Sequence, residues 1–249
     1  MKIDPHIHSI YSGDSRSTPE KIIKQALLIG LDVIAISDHD SVEGSKIAIE
    51  MSKKMDKILI IPSIEISSSG GHILGLGVEN IIQKGLSPEE TVEKIHDEGG
   101  LAIVPHPFSF YRNGLLSKNK KTTTSLVKTI DPLTAFKNTD STADTDFGFN
   151  SRYIDGVEVL NARYVIGYSN FRANKLANKN NLAKIGASDS HFIESIGNCY
   201  TEINDIDSEA SVDDVIEAIR LRKTTAKGSK TSNYLIAKEV FDKKIRRIY

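Results

Sequence analysis

Residues 31–40 read Leu-Asp-Val-Ile-Ala-Ile-Ser-Asp-His-Asp, an apolar run that breaks off into a cluster of polar and ionisable groups. A short run rich in Ile, Val and Leu is what a strand covered on both faces needs. Runs of the same kind recur at 58–66, 72–78, 101–104, 156–160 and 182–187. Amphipathic stretches with helix punctuation lie between them. Thr18-Pro19-Glu20 offers a hydroxyl cap, a proline at the first helical position and an early acid. Ile22, Ile23, Ala26, Leu27 and Ile29 then form an apolar face, and Gly30 ends it. Ser87 and Glu90 have capping-box spacing, and Gly99-Gly100 stops that helix. Residues 170–180 and 212–222 read as two further helices. Alternating strands and helices predict an α/β fold on a mainly parallel sheet, and a chain of 249 residues suits one β/α barrel. The expectation is a single domain over 1–249 with a C-terminal tail at 224–249.

One segment breaks the rhythm. Between Pro107 and Tyr153 apolar runs are few and Lys, Thr, Asn and Asp are many. An insertion of this length, near 108–152, is read either as a lid that selects substrate or as a solvated excursion. Composition excludes some classes of function. With 32 basic against 33 acidic residues, bulk charge does not point to a nucleic-acid scaffold, although a local basic patch stays possible. No apolar run has membrane-spanning length, and the start, MKIDPHIHS, lacks the regions of a signal peptide, so a cytoplasmic location is expected. The lone Cys199 fits a reducing compartment. The basic stretch from Lys243 to Arg247 reads as a solvated helix end.

The chemistry lies in the histidines. Of the seven, His6, His8, His39, His72, His106 and His191 lie in or just after a predicted strand, and only His96 sits mid-helix. Any one alone is more often a satisfied polar residue than a ligand. Their company changes that reading. His6 and His8 form an H-x-H pair, which strand alternation points to one side. Asp14 follows in the next loop, where its carboxylate could bridge metals or take a proton. Glu65 interrupts Ile60, Ile61, Ile64 and Ile66, a half-buried carboxylate that needs a cation or donors. Gly70-Gly71 leads into a strand that begins with His72, Pro105 and Pro107 hold His106 between them, and Asp189 with His191 makes a D-x-H pair. In closed β/α barrels the rim where parallel strands end is the active-site face. The competing explanation gives each of these polar groups its own unrelated partner, and the convergence of six histidines and three carboxylates weighs against it.

Imidazole and carboxylate without thiolate suit zinc, manganese or iron. Nine candidate ligands exceed the needs of one tetrahedral ion, so two or three divalent metals are expected. Such clusters polarise a phosphoryl oxygen and generate hydroxide from bound water, which makes phosphate ester hydrolysis the leading chemistry. Amide or ring hydrolysis, as in binuclear amidohydrolases, is the competitor on these grounds.

The ordered motifs D-P-H-I-H-S at 4–9, Y-S-G-D at 11–14, I-S-D-H-D at 36–40, I-E-I-S at 64–67, G-H-I-L-G at 71–75, P-H-P at 105–107, G-V-E-V-L-N-A-R at 156–163 and G-A-S-D-S-H at 186–191 carry a resemblance. The sequence resembles the PHP superfamily, named for polymerase and histidinol phosphatase, and in particular its small stand-alone phosphoesterases. The resemblance implies a distorted seven-stranded, TIM-like β/α barrel with a trinuclear metal site. By position it implies His6, His8, Asp14, His39, Glu65, His72, His106, Asp189 and His191 as metal ligands. His72 is the member that could stand behind the others instead. Pro5 departs from the leucine frequent at that place in the family. A complete ligand set argues against a non-catalytic copy.

A basic residue should help the metals hold phosphate. Arg163 is the first choice, for its bidentate fork after a strand end, with Asn161 and Arg16 behind it. Arg112 and Arg152 flank the insertion and could close over a substrate. Asp38 and Asp40 are expected to orient His39 or cap the next helix. The expected function is hydrolysis of a small phosphomonoester, a nucleotide or sugar phosphate, by metal-activated hydroxide. Asp14 or a metal-ligating histidine would handle the proton, and Arg163 would steady the phosphate. The alternative that the resemblance also allows is 5′-3′ exonucleolytic trimming of short RNA or DNA, with Lys118 to Lys121 lining a groove. A third reading is a metal-stabilised module that binds a partner without catalysis. No membrane partner is expected, and the sequence leaves the oligomeric state open.

Overall fold

The structure is a computed structural model and describes residues 1–55, 58–109, 112–116, 154–164, 167–207 and 209–246. The reading of 108–152 as a lid, Arg152 and Lys118 to Lys121 therefore lie largely or wholly outside the described residues; Arg112 lies within them.

The capping signals act where they stand. Thr18 Oγ1 accepts from the Lys21 amide at the start of α1 (Pro19–Leu28), which buries Ile22, Ile23 and Ala26. Both halves of the capping box form at Ser87 and Glu90, opening α3 (Pro88–Asp97). The intervening helix α2 (Glu43–Ser52) has no side-chain cap, and so no start signal marks it in the sequence. Its position depends on Gly44, where an added Cβ would lie 2.1 Å from Asp38 Oδ2 and 2.4 Å from Ser9 Oγ. Helices α4 (Tyr168–Asn180), α5 (Val212–Arg220) and α6 (Asn233–Arg246) follow. The region read as a tail is thus largely structured, and α6 takes in Lys243 to Arg246. Among the described residues no helix is long and apolar enough to cross a membrane.

The strands are β1 (Lys2–Ile7), β2 (Val33–Ile36), β3 (Leu59–Ile61), β4 (Ser63–Ser67), β5 (His72–Leu76), β6 (Leu101–Val104), β7 (Gly156–Asn161), β8 (Ala183–Ala187), β9 (Cys199–Ile203) and β10 (Thr224–Gly228). They form two five-stranded sheets, ordered β10-β9-β1-β2-β3 and β4-β5-β6-β7-β8. This corrects two expectations. The pairing is evenly mixed rather than mainly parallel, because β4–β5, β5–β6, β1–β9 and β9–β10 run antiparallel. Continuous ladders do not close into one seven-stranded barrel either; between the sheets the isolated bridges are Ile7 to Ser190 and His39 to Glu65.

The apolar run at 58–66 is where the two sheets part. Pro62 has no amide hydrogen to give a ladder, and its carbonyl turns away to accept from Gly77 and Val78 at 2.7 and 3.2 Å. The residues before it pair with β2 and those after it pair with β5. Ile64, Ile66, Ile73, Val92 and Ile95 pack the second sheet against α3, while Ile7, Ile22, Ile23, Ile34 and Ile36 pack the first against α1. Both bridges between sheets fall in the stretches that carry the predicted site, so the site lies where the two sheets meet.

Candidate metal centre

The parallel strands β1, β2, β6, β7 and β8 deliver polar residues at their C-terminal ends: His6 and His8, His39, His106, Asn161, then Asp189 and His191. His72 sits at the start of its strand, yet it joins them. Strand β5 runs opposite to its neighbours and pairs His72 with Ser67, so its beginning lies on the same rim where the others end. Glu65 reaches the rim from within β4.

The structure brings all nine predicted residues together in four overlapping groups whose ligand atoms lie within 4.8 Å of one another. The groups are His8, Asp14, His39 and His191; His6, His8 and Asp189; His6, Glu65 and His106; and His39, Glu65 and His72. Nε2 of His6 and Nε2 of His8 face each other at 3.0 Å. Two nitrogens about 2.1 Å from one ion, at tetrahedral or octahedral angles, stand about 3.0–3.4 Å apart. Glu65 Oε2 lies 3.5, 3.4 and 2.9 Å from imidazole nitrogens of His6, His8 and His39. That oxygen is buried and has no hydrogen-bond partner. Such an orphan is costly in a folded protein, and a cation among these nitrogens is the group that would satisfy it. The other oxygen, Oε1, meets His72 Nδ1 at 3.0 Å and His106 Nε2 at 3.1 Å. The donor set therefore fits divalent metal ions. On the more open side, Asp14 Oδ2 lies 2.9 Å from His191 Nε2 and 3.7 Å from His39 Nε2.

The electrostatics follow from this crowding. Burial disfavours charge on His6, yet Glu158, Glu65 and Asp189 around it raise its pKa well above the ordinary value. His39, also against burial, is lifted to about 10 by Glu65 and Asp14. Burial and the nearby His191 and His39 push His8 well below its ordinary value. The carboxyls of Glu65 and Asp189 are held well below theirs despite burial, by His72, His39 and His6 in one case and by Arg163, His6 and Arg112 in the other. Without metal, protons on some imidazoles take the place of cations.

A residue with no role assigned from sequence anchors this rim. Glu158 of β7 is fully buried. Its Oε1 accepts from His6 Nδ1 at 2.7 Å, and its Oε2 accepts from the His106 amide at 2.7 Å and from Asn161 Nδ2 at 2.8 Å. One carboxylate thus orients residues of β1, β6 and β7, the role outer carboxylates play behind metal-binding histidines. Its signal was present in the sequence: Glu158 stands between Val157 and Val159, just as Glu65 interrupts its own apolar run.

Two arginines converge on Asp189. Arg163 Nη1 donates to Oδ1 at 3.0 Å and Arg112 Nη1 donates to Oδ2, and Arg112 also donates to Asn161 Oδ1 at 3.0 Å. Arg16 is exposed. The roles expected for Asp38 and Asp40 are corrected. Asp38 accepts from the amide and hydroxyl of Ser9, both at 2.6 Å, and Asp40 accepts from the Ser67 amide at 2.8 Å. Neither carboxylate is bonded to the His39 ring or caps α2; each instead satisfies buried or half-buried donors on an adjacent segment. Ser12 Oγ meets His8 Nδ1 at 3.0 Å and accepts from the His39 amide at 3.2 Å. His96 stands apart from the centre, paired with Asp155 at 2.8 Å.

Nine imidazole and carboxylate groups on one rim of a two-sheet α/β frame define a candidate centre for several divalent metals. A family described as PHP-associated matches residues 167–224. An uncharacterised protein of Methanocaldococcus jannaschii is 44% identical over 119 residues, covering 44% of this chain and 69% of the relative. A phosphoribosyl 1,2-cyclic phosphate 1,2-diphosphodiesterase of Eggerthella lenta is 34% identical over 82 residues, 30% of each chain. A 5′-3′ exoribonuclease of Haemophilus influenzae is 32% identical over 120 residues, 43% of each. In fold, the chain is similar to the crystal structure of a two-domain protein from Bacteroides vulgatus containing a predicted PHP-like metal-dependent phosphoesterase. That match has a TM-score of 0.68 at 20% identity, over 98% of this chain and 69% of the other. The chain belongs to the PHP superfamily.

Proposed function

We propose that the protein is a metal-dependent phosphoesterase, with His6, His8, Asp14, His39, Glu65, His72, His106, Asp189 and His191 holding two or three ions of manganese, zinc or iron. The observation that carries this reading is Glu65 Oε2, buried, without a hydrogen-bond partner, and within 3.5 Å of three imidazoles. When bound, the metals would supply Lewis acidity to a phosphoryl oxygen and lower the pKa of water at the site.

The chain's own residues do the rest. Asp14 and His39, whose side chains are 27% and 26% exposed, are the members open to solvent, so substrate approaches from their side. Asp14 is the carboxylate on that side; against burial, its contacts with His191 and His39 hold it well below the ordinary carboxylate range, so it is the charged partner of those rings rather than the proton acceptor. Arg163 offers guanidinium donors to phosphate oxygens, and Arg112 stands beside it on the same carboxylate. Asn161, which accepts from both Arg112 and the Arg163 amide, sets their spacing.

A small phosphomonoester, a nucleotide or sugar phosphate, is the substrate class first in line. The second reading, trimming of a short oligonucleotide, draws on the similarity to an exoribonuclease and on the exposed surface of α4. The test is metal analysis with a substrate panel. Two to three metals per chain and phosphate release from mononucleotides or sugar phosphates support the proposal. Metal-replete protein inert toward every monoester, bisphosphate and oligonucleotide refutes it.

A further inference from the structure

Helix α4 begins beside the metal centre and presents an unusual outward face. Asn170 in its first turn accepts from the Asn161 amide at 3.1 Å through Oδ1 and donates back to the Asn161 carbonyl through Nδ2. Asn161 in turn donates to Asp189. The helix start is therefore two side chains from a proposed metal ligand. Ala173, Ala177 and Asn180 face inward, while Tyr168 and Phe171 are each 66% exposed and Arg172, Lys175 and Lys179 are exposed around them.

Charge sharpens the picture. Residues 159–188 contain Arg163, Arg172, Lys175, Lys179 and Lys184 and no acidic residue, in a chain whose net charge is only −1. A solvated helix of a near-neutral protein ordinarily mixes both signs. The aromatic groups are also linked to the centre by stacked cations. Arg112, bonded to Asp189, lies over the Tyr164 ring at 4.7 Å. Tyr164 Oη accepts from the Phe108 amide, and Arg172 lies over the Phe108 ring at 4.0 Å and within 5.9 Å of the Tyr168 ring. Arginines and aromatics thus alternate outward from the site to the exposed face of α4.

Exposed aromatic rings spaced among basic side chains, with no acid to repel a phosphodiester backbone, are the parts of a surface for single-stranded nucleic acid. Rings stack on bases of any sequence, and cations follow the phosphates. We infer that the outward face of α4 binds a short single-stranded oligonucleotide, with bases on Tyr168 and Phe171 and backbone phosphates on Arg172, Lys175 and Lys179, leading one end to the metal centre. This rests on the second phosphoesterase reading, trimming of a short oligonucleotide, for the direction of the strand, and places the binding surface that reading needs. A duplex, whose bases are already stacked, offers the two rings nothing.

The experiment measures fluorescence anisotropy of a 3′-labelled, 5′-phosphorylated eight-nucleotide strand with phosphorothioate linkages on the full-length, metal-loaded chain, over a range of salt. Expected is salt-sensitive binding, tighter for the strand than for its duplex. Phe171→Ala or Tyr168→Ala should weaken it by about 5- to 150-fold, the range of one lost base stack. Lys175→Glu with Lys179→Glu should lower the slope of log Kd against log salt by at least about 1.4, at about 0.7 for each phosphate no longer neutralised. Turnover of p-nitrophenyl phosphate should be unchanged in all three variants, whose altered residues lie on an exposed helix face. Binding unmoved by these substitutions, equal binding of the duplex, or a parallel loss of p-nitrophenyl phosphate turnover would overturn the inference. Should no ester be hydrolysed while the variants still weaken strand binding, the face stands and the phosphoesterase reading falls.

Discussion

Replacing Glu158 by glutamine keeps the side chain's volume and removes one of its two acceptor oxygens. In the native protein both oxygens accept. Because a carboxylate cannot donate, Nδ1 of His6 must carry the hydrogen, so in the neutral ring, the only form that can ligate a metal, Nε2 is the bare nitrogen facing His8, Glu65 and Asp189. Glutamine cannot reproduce this in either orientation. If its oxygen takes the position that meets the His106 amide and Asn161, its NH2 faces His6 Nδ1, and a neutral ring then puts its hydrogen on Nε2, where a metal has to bind. With the oxygen toward His6, the NH2 points at two donors, and each group left unsatisfied costs about 1–3 kcal/mol. Either way metal affinity should fall about 10- to 100-fold, the usual effect of losing an outer carboxylate. The assay is metal titration by calorimetry with metal counted per chain by mass spectrometry. Thermal unfolding of the metal-free protein is measured alongside to separate lost ligand orientation from lost stability. Glu158→Asp, which keeps both acceptors, should recover part of the affinity. Wild-type metal affinity in Glu158→Gln would refute the reasoning, whatever its stability.

Other consequences are as direct. Chelating the metals should lower the melting temperature by about 5–10 °C at a starting concentration of 100 Kd, since about 2.7 kcal/mol of binding linkage is lost at about 2–4 °C per kcal/mol; an unchanged melting curve would contradict the ligand assignment. Metal uptake at pH 8 should release protons. His39, raised to about 10, and His6, raised well above its ordinary value, hold theirs at that pH in the metal-free protein, and a ligating nitrogen must shed its own. Calorimetric heats that do not vary with buffer ionisation enthalpy would exclude this. The same linkage gives a sign for metal-free stability: the contribution of His39 is complete below about 6.5 and is lost as pH rises through about 10, so chelated protein should weaken across that window in pH-dependent denaturant melts. Arg163→Ala should lower kcat/KM on a phosphomonoester by about 10- to 150-fold, the loss of a charged hydrogen bond, with the metal count unchanged. Loss of metals from this variant would show that Arg163 serves Asp189 rather than substrate.

Much of the site could be read from the sequence because of where the polar residues fall. A histidine or carboxylate that ends an apolar run has few structural reasons to be there, and most of the nine stand out by that contrast. Glu65 stands out inside its run because four isoleucines surround it. The same contrast holds more weakly for Glu158, whose apolar run is shorter and which gains its role only from the long-range contacts with His6 and His106. Arg112 belongs to no strand. Its bond to Asp189, 77 positions away, is a product of folding that no local pattern encodes. Strands β9 and β10 carry no apolar run: β9 alternates buried Cys199, Thr201 and Ile203 with half-buried Tyr200 and Glu202, and β10 is half-buried to exposed, as at Thr224 and Lys227.

The sequence by itself determined the strands that carry apolar runs, the capped starts of α1 and α3, and the ligand chemistry, because these depend on residue type and short spacing. Only the tertiary structure decided how the strands pair. The break at Pro62 sends neighbouring residues into different sheets, and the reversal of β5 brings His72 to the rim from a strand's beginning. Both follow from which backbone groups find partners across long stretches of chain. Where those partners lie is a property of the assembled sheets, which is also why the nine candidate ligands, expected at the ends of one barrel's strands, lie at the junction of two sheets.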